Sequence, residues 1–403
     1  MTVAVCVAGK NRIAIETLKL VMQRGVDGLC AVANRTDDGR DAWQPSFRSF
    51  AQAAGVPIRT LAEVQRVEAL VFLSVEFDRI VQPARFAPSS RLYNIHFSAL
   101  PAYKGMFTSC HPILRGESET GCTLHEIDPG IDTGDIIDQL RFPIGEGDTA
   151  KTLYRQYVDH GIGLVARNLD ALIAGTATGV PQPVQGSTYF SAGSIDYGAV
   201  RIDLNQTCFG IIRQVNAFNH RSYQLPVVQG RAIAAARPLP TRSRLKPGSI
   251  VAGDDRHLVV ATVDYDCVLI VDRFDELIAA IDADRCAPAA DILADNPALL
   301  EESGPEGWTP LIVAAFNGRN ASVELLLQLG ADPDNANQKG TTPLMYAKDC
   351  YLRTGNAQPF LQLVARGADR GLRDMWGKTL LDYVPAERRA EVAGLAGPFV
   401  RPG

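Results

Sequence analysis

The sequence predicts an α/β protein with a mostly parallel sheet, followed by a small β-rich domain and an all-α repeat tail. Three observations predict this. Apolar runs alternate with helical periodicity over the first 180 residues, strand and turn signals crowd between about 196 and 270, and a 33-residue repeat occupies the end of the chain. The 403 residues also exceed what one hydrophobic core usually serves, so several domains are expected.

The first elements form a β-α-β unit. The apolar run 2–8 predicts a strand, apolar residues at helical spacing from Ile13 to Val21 predict a helix, and 29–32 predict a second strand. A helix over 47–54 and a buried strand over 69–74 continue the alternation, which favours a parallel sheet with helices on both faces. No G-x-G-x-x-G follows the first strand, so a dinucleotide site is not indicated.

A hairpin and a long helix close this first domain. Strands over 122–127 and 136–142 flank a turn-rich run, a helix is predicted over 149–174, and the domain spans 1–180. Short strands separated by proline and glycine then predict a small β-rich domain over 181–275. Its clearest strands are 232–235, 248–251 and 257–261.

The tail is a repeat. Gly307-Trp308-Thr309-Pro310-Leu311 recurs as Gly340-Thr341-Thr342-Pro343-Leu344, and Leu329-Gly330-Ala331-Asp332 recurs as Arg366-Gly367-Ala368-Asp369. The period and the T-P-L and G-A-D signatures resemble ankyrin repeats, over 284–403. A partial third copy is visible at 377–381, and 284–300 has the pattern of a helical N-terminal cap. We place the four-residue excess of the second repeat in the loop between its two helices, within 347–359.

The composition argues against several classes of protein. A net charge of -5 with 46% hydrophobic residues is ordinary for a globular protein and argues against disorder or bulk coating of nucleic acid. No apolar run approaches the roughly 20 residues of a membrane helix, and no leader precedes the first strand, so a cytoplasmic protein without a membrane partner is predicted. The eight cysteines form no C-x-x-C pair and are not spaced with histidines, so no metal is expected.

Three polar residues carry the chemistry: Asn94 and His96 in the run 94–105, and Asp132 in Gly130-Ile131-Asp132-Thr133-Gly134-Asp135. Open α/β folds bind ligands at the carboxyl ends of their strands, where these residues can meet. No serine or cysteine nucleophile accompanies them, so direct transfer with an oxyanion stabiliser, a base and an orienting group fits better than an acyl-enzyme. The residues alone leave open that all three are structural, as a turn cap, a core histidine and a turn aspartate.

N-x-H followed by S-x-L-P-x-Y-K/R-G, with a later G-x-D-T-G-D, resembles the formyltransferases that use N10-formyltetrahydrofolate, over residues 1 to about 180. The resemblance implies a Rossmann-like domain, Asn94, His96 and Asp132 as the catalytic trio, and N10-formyltetrahydrofolate as co-substrate. It also implies folate contacts near 75–78 and the loop 127–130. The cofactor-binding residues so assigned are Val75, Phe77, Ile127, Asp128 and Gly130.

Three branches of that family can be distinguished by the features of their C-terminal parts. Methionyl-tRNA enzymes carry a larger C-terminal domain for RNA, whereas nine basic and five acidic residues give 201–266 a net charge of only +4, too mild to anchor tRNA. Glycinamide ribonucleotide enzymes lack an ankyrin tail. Sugar N-formyltransferases match best, because their second domain has a stretch similar to 216–226 and some members end in ankyrin repeats.

This match implies a nucleotide-linked amino sugar as substrate: a dTDP-3-amino-3,6-dideoxyhexose of glucose or galactose configuration, used for O-antigen or other surface polysaccharide. His96 would accept the amine proton, Asp132 would orient His96, and Asn94 would stabilise the oxyanion. The substrate-binding residues assigned to nearby loops are Lys10, Asn11, Lys104, Gly105, Met106, Asn219 and Tyr223. Solvated surface positions remain the alternative for Lys10, Asn11 and Lys104.

Two interactions are predicted beyond the catalytic site. A second domain of about 70 residues is small for its own core, so a homodimer through that domain is expected. In the tail, Trp308 or Trp376 is predicted to stack a thymine base in a second nucleotide site, with Arg319 adding a phosphate contact. A packing role for Trp308 is the alternative. A tail that recruits a protein partner to an enzyme-derived scaffold is a further alternative, which the intact trio disfavours.

Overall fold

The structure is a computed structural model that describes residues 3–395. Its contacts divide the chain into two units with a boundary between Leu269 and Ile270, and Ala42–Gln44 group with the second unit. Residue 2 of the predicted first strand and residues 396–403 of the predicted tail lie outside the described part.

The first unit begins with the predicted α/β domain. Its elements are β1 Ala4–Gly9, α1 Asn11–Met22, β2 Gly28–Ala33, α2 Phe47–Ala53, α3 Leu61–Val64, β3 Leu70–Val75, β4 Arg91–His96, β5 Lys104–Gly105, α4 His111–Arg115, β6 Glu119–Glu126, β7 Ile136–Pro143, α5 Ala150–Ala174 and β8 Tyr189–Phe190, with a 3-10 turn at Pro83–Arg85. Six strands form one sheet in the order β2-β1-β3-β4-β6-β7. The first four strands are parallel and the last two antiparallel, so the prediction of a mostly parallel sheet is confirmed.

Burial explains why these segments fold as they do. All six residues of β3 are buried, as expected for a central strand covered on both faces. The longest helix, α5, begins at Thr149, whose side chain accepts from the Thr152 N–H, and ends at Gly175, which has a left-handed φ of 71°. It packs against α1, which buries Ile13 and Leu18.

The sheet register creates the crevice that holds the site. Gly9 pairs with Val75, and Val75 pairs with Ile95. The strands β1, β3 and β4 therefore end side by side, and Lys10, Glu76 and His96 take adjacent places along one edge. The chain moves from β1 to β2 on one side, then returns past β1 to β3 and continues to β4 on the other side. The strand order therefore reverses between β1 and β3, which is the switch point where open α/β sheets bind ligands.

The rest of the first unit is β-rich. It contains α6 Cys208–Phe218, β9 Val227–Val228, β10 Arg231–Pro238, β11 Ile250–Gly253 and β12 His257–Val260, with a 3-10 turn at Ala192–Ser194. The last strand, β13 Cys267–Val271, begins in this unit, and its final two residues group with the second unit. The strands form a sheet in the order β11-β12-β13-β10-β9. The three strands predicted here correspond to β10, β11 and β12. Helix α6 was not predicted, although its buried residues Cys208, Ile211, Val215 and Phe218 have helical spacing.

The second unit is helical. It contains α7 Phe274–Asp282, α8 Cys286–Asp295, α9 Pro310–Phe316, α10 Asn320–Gln328, α11 Pro343–Thr354, α12 Gln358–Ala365 and α13 Arg389–Leu395, with 3-10 turns at Pro297–Leu300, Leu380–Tyr383 and Ala386–Arg388. The T-P-L signature starts a helix each time: Thr309 and Thr342 cap the helix through their hydroxyls, and proline takes the first helical position. Where the third copy lacks the proline, only a 3-10 turn forms. No helix within residues 3–395 has both the length and the apolar character needed to cross a bilayer.

One prediction about the repeats is wrong. The four-residue excess does not lie in the loop of the second repeat, because both repeats join their helices by three residues. Instead α11 has 12 residues where α9 has 7. The physical reason is the position of the terminating glycine: left-handed Gly318 follows α9 closely, whereas left-handed Gly355 comes only after Thr354.

Candidate active site

Strand β4 carries two of the predicted catalytic residues. Asn94 and His96 are two positions apart, so both side chains point to the same face of the sheet. Asn94 is partly exposed, and His96 is only 7% exposed. The strand therefore holds a donor amide at the crevice with a buried imidazole beside it.

A backbone hydrogen bond fixes the proton position on His96. Its Nε2 lies 2.8 Å from the carbonyl oxygen of Tyr103, and since a carbonyl only accepts, Nε2 carries the hydrogen. The other ring nitrogen, Nδ1, lies 3.5 Å from Oδ2 of Asp132. Burial lowers the pKa of His96 below its usual range, although the Asp132 charge opposes this. The ring is therefore neutral near pH 7, and Nδ1 is the atom that can accept a proton.

Asp132 is held as a carboxylate between two imidazoles. Its Oδ2 accepts the Gly105 N–H at 2.9 Å, and its Oδ1 lies 3.6 Å from Nε2 of His125. Burial alone would raise the pKa of Asp132, but His96, His125 and the Gly105 N–H outweigh it and lower the pKa to about 2. The trio predicted from the sequence is thus brought together around one fixed negative charge.

His125 completes this cluster and was missed by the sequence reasoning. Its Nδ1 donates to the Glu126 carbonyl at 2.6 Å, so its Nε2 accepts from the Asn94 amide nitrogen at 3.1 Å. One hydrogen of the Asn94 amide is used in this bond, and the other remains for a ligand. Leu-His-Glu at 124–126 offered one signal, a histidine on a strand leading into the loop of Asp132.

Close backbone packing holds the loops around the cluster. A Cβ on Gly134 would lie 2.0 Å from the Glu126 carbonyl oxygen, so only glycine fits there. Four of the eight non-glycine residues with positive φ within residues 3–395 border the crevice: Asn11, Glu76, Tyr103 and Asp132. Such backbone conformations cost energy and concentrate at functional sites.

A second polar cluster lies at the ends of β1 and β3. Asn11 donates from Nδ2 to the Tyr154 hydroxyl at 3.2 Å, and that hydroxyl donates to Oε2 of Glu76 at 2.8 Å. Burial raises the pKa of Glu76, while Lys10, Tyr154 and Asn11 oppose the rise. Lys10 and Asn11 were predicted substrate residues. Glu76 was predicted only as part of the folate-contact segment 75–78, and Tyr154 was not predicted.

The small domain reaches this second cluster through the segment 219–226. The His220 ring lies 6.0 Å from the Tyr154 ring and 4.6 Å from the Tyr223 ring, measured between centroids. Tyr223 is 59% exposed, so its ring is accessible to a ligand. Asn219 is buried, and its amide donates to the Ala234 carbonyl at 2.7 Å, which ties this segment to β10.

The remaining predicted substrate residues are on or after β5. Lys104 lies close enough to His96 to lower its pKa, and Gly105 holds Asp132. Met106 is 49% exposed, and its N–H donates to the Phe190 carbonyl at 2.8 Å. These three residues therefore form the wall of the crevice on the side of the catalytic cluster.

One of the five predicted cofactor residues, Ile127, lines a pocket of about 280 Å³. The pocket is lined by Pro83, Phe86, Ala87, Pro88, Ser90, Arg91, Leu92, Tyr93, Glu126 and Ile127. Ile127 is in its wall, and Phe77 and Ile127 both pack against the apolar cluster around Phe72 and Phe86. Val75 is buried at the end of β3. Asp128 accepts from the Gly130 N–H and the Thr133 hydroxyl, so it shapes the loop.

In the tail, the two tryptophans differ in setting. The Trp308 ring packs 5.2 Å from the Phe316 ring and 5.0 Å from the Tyr346 ring, whereas Trp376 is 46% exposed. Arg319 is paired with Asp282 at 3.2 Å. Across residues 3–395, no group of three or more histidine, cysteine or acidic side chains is placed to hold a metal ion.

A proton-accepting imidazole, a carboxylate that stabilises its charged form and an amide donor are the parts that direct transfer of an acyl group to an amine requires. Comparison with known proteins agrees with such a transfer. A family model described as formyl transferase matches residues 35–168, and one described as ankyrin repeats in three copies matches 277–374. The curated relatives include the methionyl-tRNA formyltransferase of Acidothermus cellulolyticus, 29% identical over 284 residues, which are 65% of this chain and 87% of that protein.

Two solved structures match over nearly their full length. WlaRD, a sugar 3N-formyltransferase solved in the presence of dTDP and 5-N-formyl-tetrahydrofolate, is 35% identical with a TM-score of 0.62 and covers 67% of this chain and 98% of its own. The N-formyltransferase of Helicobacter canadensis, in complex with folinic acid and dTDP-3-aminofucose, is 36% identical with a TM-score of 0.61 and covers 67% and 100%. The chain therefore belongs to the formyltransferase family, and its C-terminal part carries ankyrin repeats.

Proposed function

We propose that this enzyme transfers the formyl group of N10-formyltetrahydrofolate to the amine of a dTDP-linked 3-amino-3,6-dideoxyhexose, of glucose or galactose configuration. One observation carries the proposal: the cluster of Asn94, His96 and Asp132 is complete in a chain that matches two sugar N-formyltransferases over 98% and 100% of their lengths. The product would serve O-antigen or another surface polysaccharide, made from cytoplasmic precursors.

The residues divide the work of the transfer. His96 accepts the proton of the attacking amine at Nδ1, and Asp132, 3.5 Å away, stabilises the imidazolium that forms. The second amide hydrogen of Asn94 donates to the oxygen that gains negative charge, an effect of about 3 kcal/mol in comparable sites. No covalent enzyme intermediate is needed.

The residues present fit the folate co-substrate, which supplies the formyl group. The pocket beside Ile127 has apolar walls from Phe86 and Leu92, suited to a flat ring, and its rim holds Glu126, next to His125 of the cluster. Val75, Phe77, Ile127, Asp128 and Gly130 remain the proposed cofactor residues. The nucleotide sugar would enter from the other side, past Tyr223, Lys10 and Asn11.

Methionyl-tRNA is the second candidate substrate, because the curated relative from Acidothermus cellulolyticus is a methionyl-tRNA formyltransferase. The region 201–266 that would have to bind RNA has a net charge of only +4. Nucleic-acid affinity depends on many phosphate contacts, so this charge favours the small substrate.

The experiment is a substrate panel with the purified full chain and N10-formyltetrahydrofolate. The panel contains dTDP-3-amino-3,6-dideoxyglucose, its galactose epimer, a 4-amino isomer, a UDP-linked counterpart and methionyl-tRNA. We expect formamide product by mass spectrometry with the dTDP-linked 3-amino sugars. Turnover of methionyl-tRNA alone would establish the second candidate, and absence of any formyl transfer would support a binding role.

A further inference from the structure

We propose that Glu76 binds the ammonium group of the sugar substrate and takes one of its protons before the amine attacks. The inference rests on the proposed amino-sugar substrate and assigns a residue outside the trio of Asn94, His96 and Asp132. It therefore adds a second proton acceptor to the site.

The place of Glu76 in the sheet is the first argument. Val75 pairs with Gly9 on one side and with Ile95 on the other, so Glu76 stands between Lys10 and His96 at the strand ends. Neighbouring strands are about 4.8 Å apart. A hexose whose amine reaches His96 from the side of Lys10 must pass over Glu76.

The hydrogen bonds of Glu76 are the second argument. Tyr154 donates to Oε2 at 2.8 Å, and the Asn11 amide also bonds to the carboxyl group. A carboxylate accepts about four hydrogen bonds, so acceptor capacity remains for the N–H groups of an ammonium ion. The left-handed φ of 54° at Glu76 turns the residue out of the strand and toward these partners.

Charge is the third argument. The groups that face Glu76 include Lys10 from the end of β1, Asn11 from the start of α1 and Tyr154 from α5, with His220 and Tyr223 behind Tyr154. Arg12 lies near Tyr154, and Lys151 and Arg155 lie near His220. Burial and the Glu76 charge raise the pKa of Tyr154 well above its usual range, and burial lowers the pKa of His220 to about 3. Between pH 6 and 9 Tyr154 and His220 are therefore both uncharged, Lys10 is a counterion of the Glu76 carboxyl group, and a bound ammonium ion would add another.

The chemistry explains why such a group is needed. Amines beside electron-withdrawing groups titrate near pH ~8, so most of the substrate is an ammonium ion at pH 7, without a lone pair for attack. In the proposed step an N–H bond breaks, its electron pair stays on nitrogen, and an O–H bond forms on Glu76, which gives a neutral amine and a carboxylic acid. His96 takes the second proton at Nδ1 as the amine attacks, and gives it to the departing folate nitrogen as the bond from that nitrogen to the formyl carbon breaks. Glu76 returns its proton to water after product release.

Calorimetry on the full chain tests the binding part without turnover. The ligands are dTDP, dTDP-6-deoxyglucose without an amine, and dTDP-3-amino-3,6-dideoxyglucose. For the unaltered protein we expect tighter binding of the aminated ligand, by about tenfold as for one charge-assisted hydrogen bond. Glu76→Gln should remove this preference while the Kd for dTDP changes less than twofold. An unchanged preference in Glu76→Gln overturns the inference.

The pH dependence of kcat/KM tests the proton step. Without the carboxylate, the enzyme must capture the minor neutral amine, so the deficit of Glu76→Gln should be about 100-fold at pH 6.5 and within tenfold at pH 9, where neutral amine is abundant. If kcat/KM falls equally at both pH values, Glu76 only supports the fold and the inference is overturned. The same conclusion follows if Tyr154→Phe shows the same pH-dependent loss of kcat/KM as Glu76→Gln.

The matched control is Glu68→Gln. Glu68 precedes the same strand at its opposite end, is exposed, and accepts from the Ser89 hydroxyl at 2.5 Å. The Glu68→Gln variant should keep the preference for the aminated ligand and the kcat/KM values at both pH values. The inference fails if Glu68→Gln shows the same losses as Glu76→Gln. An unaltered protein that binds none of the three nucleotides contradicts the proposed function itself, a result distinct from equal binding of aminated and non-aminated ligands.

Discussion

The amide nitrogen of Asn94 lies 3.1 Å from Nε2 of His125, so a residue of β6 orients the donor on β4. We expect His125→Phe to lower kcat about tenfold, because Asn94 loses the acceptor that directs its second hydrogen to the reacting oxygen. His125→Gln, which keeps an acceptor, should lose less. Steady-state kinetics of both variants checks this, and equal losses would contradict an orienting role.

His96 and Asp132 should be far more sensitive. His96→Asn removes the proton acceptor, and Asp132→Asn removes the charge 3.5 Å from it, so kcat should fall on the order of 100-fold or more in each. Substrate binding, measured by calorimetry, should change much less. Near-native turnover in either variant would show that the trio is wrongly assigned.

The titration of His96 gives a test that does not depend on turnover. Burial lowers the pKa of its ring below 6.5, and Asp132 raises it. NMR of labelled histidine rings should show His96, identified by its absence in His96→Asn, protonating below pH 6.5, and at still lower pH in Asp132→Asn. An upward move in the aspartate variant would contradict the described geometry.

The homodimer expected from the sequence remains a prediction, and the structure suggests where to test it. Strands β11 and β9 are the two edges of the five-stranded sheet, and they expose Val251 (38%) and Val227 (50%). Open edges with exposed apolar residues favour pairing with another copy. Sedimentation should give twice the 43.5 kDa of one chain, and Val251→Lys or Val227→Lys should yield monomers. A monomer of the unaltered protein at micromolar concentration would rule the dimer out.

The tail site for a nucleotide is also still a prediction. Stacking on a tryptophan is worth about 1 to 3 kcal/mol per base, and Trp376 offers the more exposed ring. Calorimetry of the full chain with dTDP should therefore show two sites, and Trp376→Ala or Trp308→Phe should remove one. A single site in the unaltered protein excludes the idea. The change in melting temperature of Trp308→Phe shows how much the packing of Trp308 against Phe316 contributes to stability.

A feature could be predicted from the sequence when it depends on residues close together in the chain. Buried strands such as β3 and capped helices such as α5 were predicted because their patterns are local. His125 was missed because its partner Asn94 is 31 positions away and meets it only across the sheet. The segment 75–78 was predicted to contact folate, but the proposed role of Glu76 toward the sugar amine was missed. That role depends on Lys10 and His96, which only the strand register brings beside Glu76. The trio itself was identified through the resemblance, since its residues alone fitted a structural role equally well.

The left-handed residues around the crevice also affect how this protein would respond to directed evolution. Conformations like those of Asn11, Glu76, Tyr103 and Asp132 cost about 1 to 3 kcal/mol each, and well-packed regions elsewhere must compensate. Selection for heat tolerance alone should therefore favour replacements at these four positions, glycine above all. Variants enriched in this way would survive higher temperatures but turn over slowly, so heat selection should be coupled to a screen for formyl transfer.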